Sequence, residues 1–246
     1  MMMNNQGVNT QSRGAAFILG VFLCAGLVVL GFQISSAVIE YRQFERSVTV
    51  KGLSEQEFPA DIVIWPIQYT VADNSLDALY ASIETNTGLI SDFLQQNLIP
   101  QADISVSAAA ITDKSAQQYG GNATPAFRFT AVQTVTVYSG NISLVREVMG
   151  KLTELGKKGI VLNQNNYQAN VEYIFTRLND VKPSMIEEAT TKAREVAEKF
   201  AKDSNSVLGK IKRASQGQFS ITARDRNNPL IKKLRVVSTV EYYLSD

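Results

Sequence analysis

The chain has 246 residues, 24 Lys/Arg against 23 Asp/Glu and a net charge of +1, so nothing at chain level calls for a polyanionic partner. It contains no histidine, which excludes imidazole acid–base catalysis, Ser-His-Asp triads and histidine metal sites. Its single cysteine, Cys24, lies in an apolar run, so the rest of the chain has neither a disulfide nor a thiol nucleophile.

That run, RGAAFILGVFLCAGLVVLGFQISSAVIE from Arg13 to Glu40, carries no charged side chain between its ends. Ala15 to Phe32 is strongly apolar; as a helix rising ~1.5 Å per residue it covers roughly 27 Å, nearly the hydrocarbon thickness of a bilayer. A soluble core helix would show a polar stripe, and none appears. A secretory signal's apolar region is shorter, about 7–15 residues. The expectation is therefore a tail over 1–13 and a retained transmembrane anchor over 14–39. Ser35-Ser36-Ala37, small residues of the kind a signal peptidase accepts, make cleavage after Ala37 the competing expectation. On orientation two rules disagree. Arg13 stands on one side, against Arg42, Arg46 and Lys51 on the other, and the positive-inside rule would leave the large C-terminal part in the cytoplasm. A short tail before such a segment is the ordinary design for export, and export is the reading adopted.

EYRQFER, 40–46, reads as a charged juxtamembrane linker, with one domain over 47–246. SVTVKG and DIVIWPIQYTV alternate with period two, as half-buried strands do. Pro66 inside the second run predicts an edge strand or a bend, because proline donates no ladder hydrogen bond. Ser75 is placed to cap a helix carrying Leu76, Leu79, Tyr80, Ile83, Ile90 and Leu94 at helical spacing, with Thr87 in the remaining slot and Leu98-Ile99-Pro100 at its end. DISVSAAAIT and AFRFTAVQTVTVYSG follow as strands, joined by DKSAQQYGGNATP, long for a hairpin loop. A second helix is expected from Asn141 to Leu155, stopped by Gly156, and then a strand around YQANVEYIFT. Pro183 suits the first turn of a third helix, where its missing N–H costs nothing. Ile186, Ala189, Ala193, Ala197 and Phe200 share one face of that helix. SVLGKIKRASQ and LRVVSTVEYYL complete the strands. The fold class expected is α+β: an N-terminal transmembrane helix, then a largely antiparallel sheet with helices packed on one side.

The order of these pieces resembles the SIMPL-domain family over about Ser47 to Asp246. The likeness rests on SVTVKG followed by PADI (Pro59 to Ile62), then FRFTAVQTVTV (Phe127 to Val137) before a helix. Its most specific part is EEATTKAREVAEKFAKDSNSVLGKI, Glu187 to Ile211, with regularly spaced alanines before Leu-Gly-Lys. Leu53 stands where a second glycine is common, and Asp203-Ser204-Asn205 where a glycine-containing turn is usual. The resemblance implies a bacterial exported or periplasmic protein. Some members are immunogenic envelope proteins or are associated with oxidative-stress defence, and at least one relative forms a ring-like or channel-like oligomer. It implies no catalytic residues.

Little in the sequence suggests chemistry. Gly150-Lys151 and Gly156-Lys157-Lys158 have the wrong spacing for a phosphate loop and lack the following Ser/Thr. Gly120-Gly121 reads as a turn, and Asn122-Ala123-Thr124 and Asn141-Ile142-Ser143 match the glycosylation triplet by chance. Glu55, Glu57 and Asp61 are the remaining carboxylates for a hydrolase, which would require them to line a concave apolar pocket. Lys210, Lys212, Arg213, Arg224, Arg226, Lys232, Lys233 and Arg235 form a basic C-terminal group, eight Lys/Arg against three Asp/Glu from Val207 onward. Glu40 to Gly150 is the acidic counterpart, six against twelve, as complementary surfaces in an oligomer would be. A solvated face is the plainer reading of the basic group, and no nucleic-acid motif accompanies it. No catalytic, cofactor-binding or metal-binding residue is assigned. The expectation is a non-enzymatic, single-pass inner-membrane protein with its C-terminal domain in the periplasm. Its partners would be the lipid bilayer through residues 14–39 and further copies of itself, without cofactor or nucleic acid. A subunit of a secretion or conjugation apparatus and a carboxylate-dependent hydrolase are the alternatives.

Overall fold

The computed structural model describes residues 10–44, 46–116, 126–163 and 170–245. Five α-helices and ten strands occur among them, with two short 3-10 turns at Gln101–Asp103 and Lys114–Ala116: α1 (Thr10–Phe44), β1 (Ser47–Pro59), β2 (Ile62–Asp73), α2 (Leu76–Gln96), β3 (Ile104–Val106), β4 (Ala110–Asp113), β5 (Phe129–Ser139), α3 (Ile142–Met149), α4 (Thr153–Lys157), β6 (Val161–Leu162), β7 (Glu172–Ile174), α5 (Leu178–Asp203), β8 (Val207–Gln216), β9 (Ser220–Ala223) and β10 (Ile231–Ser245). The class is α+β with antiparallel pairing, as expected, and the strands divide between two sheets. The chain forms two compact units, one of 1–53, 186–217 and 237–246, the other of 54–185 and 218–236.

In the first unit the strand order is β1-β10-β8. Alternation puts Val50 of β1 and Val240 and Tyr242 of β10 on the face that packs against Ala193 and Ala197 of α5. Ala189, Ala193, Ala197 and Ala201 recur every fourth residue and are almost fully buried. A stripe this small lets the helix axis approach the sheet closely. Closest approach falls at Gly52, where a Cβ would lie 1.8 Å from the Ala189 carbonyl oxygen. Phe200, expected on this face, is instead exposed, and Ala201 takes the inward position one residue later. The helix ends where Asn205 adopts φ 51°, the left-handed region that glycine otherwise supplies, and Ser206 N donates to Ala201 O at 2.8 Å. Asn205 thus does the work of the glycine missing from Asp203-Ser204-Asn205.

The second unit is built on a six-stranded sheet of order β3-β5-β2-β6, with β4 also on β5 and β7 also on β2. Val63, Trp65, Ile67 and Tyr69 of β2 alternate inward beside Val135 and Val137 of β5. Ile90, Phe93 and Leu94 of α2, Val145 and Val148 of α3 and Leu155 of α4 cover that face. All three helices of this unit therefore lie on one side of its sheet. Leu76 and Tyr80, expected inward, are exposed, and Phe93 is buried. Ser75 caps α2 as expected, its hydroxyl accepting from Ala78 N. β3 and β4 are one strand interrupted by a bulge: Val106 faces Val135 but Ala110 faces Val132, and the Ser107 hydroxyl accepts from Thr134 N at 3.2 Å.

Three elements differ from the sequence reading. Pro66 is neither at an edge nor at a bend: β2 is flanked on both sides, and Pro66 stays in register with Thr136 of β5. On the other side β7 pairs with Ile62 to Ile64 and β6 with Tyr69 and Thr70, so the proline falls between two short ladders. The helix expected over Asn141 to Leu155 breaks after Met149 and restarts at Thr153, with Gly159 at φ 88° closing the segment. Pro183 lies in the second turn of α5, because the helix begins at Leu178, five residues earlier than the proline suggests. Its missing N–H removes the bond to Asn179. β6 and β9 were not foreseen; both are short, at two and four residues. Gly120-Gly121, Asn122-Ala123-Thr124 and most of the long connector lie outside the described residues.

Candidate functional site

Glu55 and Glu57 point outward from β1, on either side of Gln56. Glu55 meets Lys233 Nζ at 2.5 Å and Arg235 Nε at 3.9 Å. Glu57 lies 3.7 Å from Arg224 Nη1, which also serves Asp225 through Nε at 2.9 Å. Asp61, in the turn between β1 and β2, accepts from Thr176 N at 2.9 Å, from the Thr176 hydroxyl at 3.1 Å and from Arg177 Nε at 3.2 Å. Its own N–H donates to Ile174 O at 2.9 Å. Partial burial raises the Asp61 pKa, but the donors from Thr176 and Arg177 outweigh it and hold the carboxyl below its ordinary value. Phe58 stacks on Phe175 with ring centroids 5.4 Å apart, and the Arg177 guanidinium lies 5.8 Å over the Phe175 ring. This is a clamp between two turns, and it explains the aspartate of PADI in structural terms. A general acid needs the opposite shift.

Four of the eight basic C-terminal residues are paired with carboxylates. Lys212 pairs with Glu241 at 3.2 Å and lies 5.6 Å over the Tyr243 ring. The Ser47 hydroxyl, then Lys212, hold the Glu241 carboxyl low. Arg224, Lys233 and Arg235 are engaged as above. Lys151, part of the rejected phosphate-loop pattern, donates to Asn97 Oδ1 at 3.1 Å and to Glu147 at 2.9 Å, tying the end of α2 to the α3–α4 corner.

Two cavities lined by described residues open in the second unit. One, of about 660 Å³, is a shallow cleft lined by Thr70, Ser82, Thr85, Asn86, Phe127 and Val161 among others. The other, of about 270 Å³, is more apolar, with Trp65, Pro66, Met149, Leu152, Leu162 and Val171 on its walls. Among the described residues, neither is lined by Glu55, Glu57, Asp61 or any other charged side chain. Among the described residues, no three acidic or cysteine side chains gather as metal ligands would. A polar network inside the core that periodicity concealed joins α2, β2 and β5. Tyr69 Oη donates to Gln133 Oε1 at 2.5 Å and lies 2.7 Å from Thr87 Oγ1, which donates to Ile83 O at 2.8 Å. Gln133 Nε2 in turn donates to Ser107 O at 2.8 Å, and burial pushes the Tyr69 phenol up. Every polar atom here is satisfied by its neighbours, which marks a structural network.

The strongest functional feature is α1. Ala15–Val38 is a 24-residue apolar span containing an 18-residue stretch of mean hydropathy 2.6, none of it buried against the protein. At ~1.5 Å per residue it extends about 36 Å, enough to cross a hydrocarbon layer. The helix runs on unbroken through Phe44, so residues 40–44 of the stretch expected as a linker are helical. Ala37, the competing cleavage point, is therefore mid-helix. Arg46 then locks into the first unit: its carbonyl accepts from Leu244 N at 2.9 Å and its Nη2 donates to the Ser206 hydroxyl at 3.2 Å. Compared with known families, the chain matches the SIMPL profile, described as a protein of unknown function, over residues 48–235. No curated protein matches it.

Proposed function

Because the chain belongs to the SIMPL family, we propose that it is a membrane-anchored envelope protein whose SIMPL domain is held outside the cytosol and acts by binding and self-association. The observation that carries this reading is the uncovered 24-residue apolar span of α1, a helix that ends two residues before β1. An apolar surface of this size is stable in lipid and not in water. A non-enzymatic role is supported by the condition of the carboxylates: Glu55, Glu57 and Asp61 each face a cation, and neither described cavity contains one of them. The hydrolase alternative requires that pocket. Support for envelope integrity or oxidative-stress defence would be indirect, since the domain has no thiol to oxidise.

The test is fractionation of cells making the full chain, combined with protease accessibility and intact mass. The expected result is a membrane-bound polypeptide of the full sequence mass, resistant to alkaline extraction, digested once protease reaches the space outside the inner membrane. A soluble product beginning at Val38, or a domain shielded until the inner membrane is lysed, would overturn anchor or sidedness respectively. Sedimentation in detergent then reads self-association, and a strictly monomeric species would remove it.

A further inference from the structure

The α5–β8 turn is fastened beside the end of α1. Residue 46 follows the helix by two positions, a reach of at most about 7 Å, and donates directly to Ser206 in that turn. The helix itself continues only six residues beyond Val38, the last residue of the apolar span, adding about 9 Å. An interfacial layer occupies roughly 5–7 Å on each side of the hydrocarbon, and tilt of α1 shortens the remaining height. The Arg46–Ser206 contact therefore lies within about 16 Å of Val38, inside the head-group layer or within about 10 Å of its outer surface.

The surface of the turn suits that position. Phe200, in the last turn of α5, is 55% exposed, and Val207, at the start of β8, is 61% exposed. Outside α1 they are the two most exposed large apolar side chains described in the first unit. Lys199 and Lys202 flank Phe200, both exposed and without an ion pair among the described residues; Asp203 is the acidic residue at the turn, and Glu195 and Glu198, the latter paired with Arg194, precede it on α5. Apolar side chains at the water–lipid boundary, bracketed by lysines whose ammonium groups reach phosphate, form a lipid-contacting edge.

We propose that the α5–β8 turn is a second membrane contact, with Phe200 and Val207 entering the interfacial layer of the leaflet from which α1 emerges, and Lys199 and Lys202 on its phosphate groups. This rests on α1 spanning the bilayer, and the experiment separates the two statements. The full chain carrying Cys24→Ser is labelled with an environment-sensitive thiol fluorophore at Phe200→Cys, Val207→Cys, Ser215→Cys or Phe22→Cys. Each is reconstituted into phosphatidylcholine–phosphatidylglycerol vesicles containing a nitroxide-labelled lipid. Ser215 lies eight residues along β8 from Val207, roughly 26 Å away. Quenching at 200 and 207 several-fold above that at 215, with strong quenching at 22, is the expected result. Lys199→Glu with Lys202→Glu should lower quenching at 207 when phosphatidylglycerol is present and not in phosphatidylcholine alone. Quenching at 22 without quenching at 200 and 207 overturns the second contact and leaves the anchor standing, and cross-linking between copies at 200 would then identify a second chain as the occupant. Equal quenching at 200, 207 and 215 also overturns it. No quenching at 22 overturns the anchor and the contact together.

Discussion

At Gly52 the backbone of β1 meets α5 so closely that a Cβ would lie 1.8 Å from Ala189 O and 2.6 Å from Ala193 N. Both obstructing atoms are helix backbone, which does not swing aside as a side chain would. Gly52→Ala should therefore destabilise the first unit by about 3 kcal/mol or more, read from chemical unfolding of the detergent-solubilised chain. Asp61 matters through charge. Its folded pKa is depressed below the usual value of 3.8, so the stability it contributes is fully present above that value and is lost as pH falls through the folded pKa. Asp61→Asn should thus cost about 1–3 kcal/mol near neutrality, and its gap to the parent should close below about pH 4; unfolding midpoints measured across acid pH check both. Tyr69→Phe removes one donor from a satisfied buried network and should cost about 1–2 kcal/mol. Combined with Thr87→Val the losses should be non-additive, a double-mutant cycle being the measurement. None of these partnerships is visible along the chain: Thr176 is 115 positions from Asp61, and Gln133 is 64 from Tyr69.

Elements were legible where one face meets one core. The alternation of β2 and β5 and the cap at Ser75 were read correctly because they depend on neighbours within a few residues. The alanine spacing of α5 was right, but the stripe closes on Ala201 and not Phe200, since a helical period alone does not choose between adjacent residues at the rim of a face. Breaks were harder. The α3–α4 corner and the bulge at Ser107 answer to the surfaces they pack against, and Pro66 is accommodated in an inner strand only because the strands beside it are short. Asn141, which matched a glycosylation triplet, caps α3 by accepting from Leu144 N at 3.2 Å. Asn141→Ala should cost about 1 kcal/mol, seen as a lower thermal midpoint by circular dichroism, and Asn141→Ser should recover most of it.

For the whole molecule, the deciding physical fact is the mismatch between α1 and water. A cation at the middle of the span, as in Leu27→Arg, should weaken insertion by about 2.5–3.5 kcal/mol and move part of the protein into the alkaline-extractable fraction. The same substitution on the exposed β8, Ser215→Arg, should leave extraction unchanged. By itself the sequence determined the apolar helix, the absence of imidazole and thiol chemistry, the α+β class and the family resemblance, because composition and short-range periodicity encode all four. Only the tertiary structure decided that the strands form two sheets, that Gly52 and the alanines make one close contact, that Asp61 is a clamp and that Arg46 fastens the α5–β8 turn beside α1. Those features are set by which distant segments pack together, and local spacing carries no record of that choice.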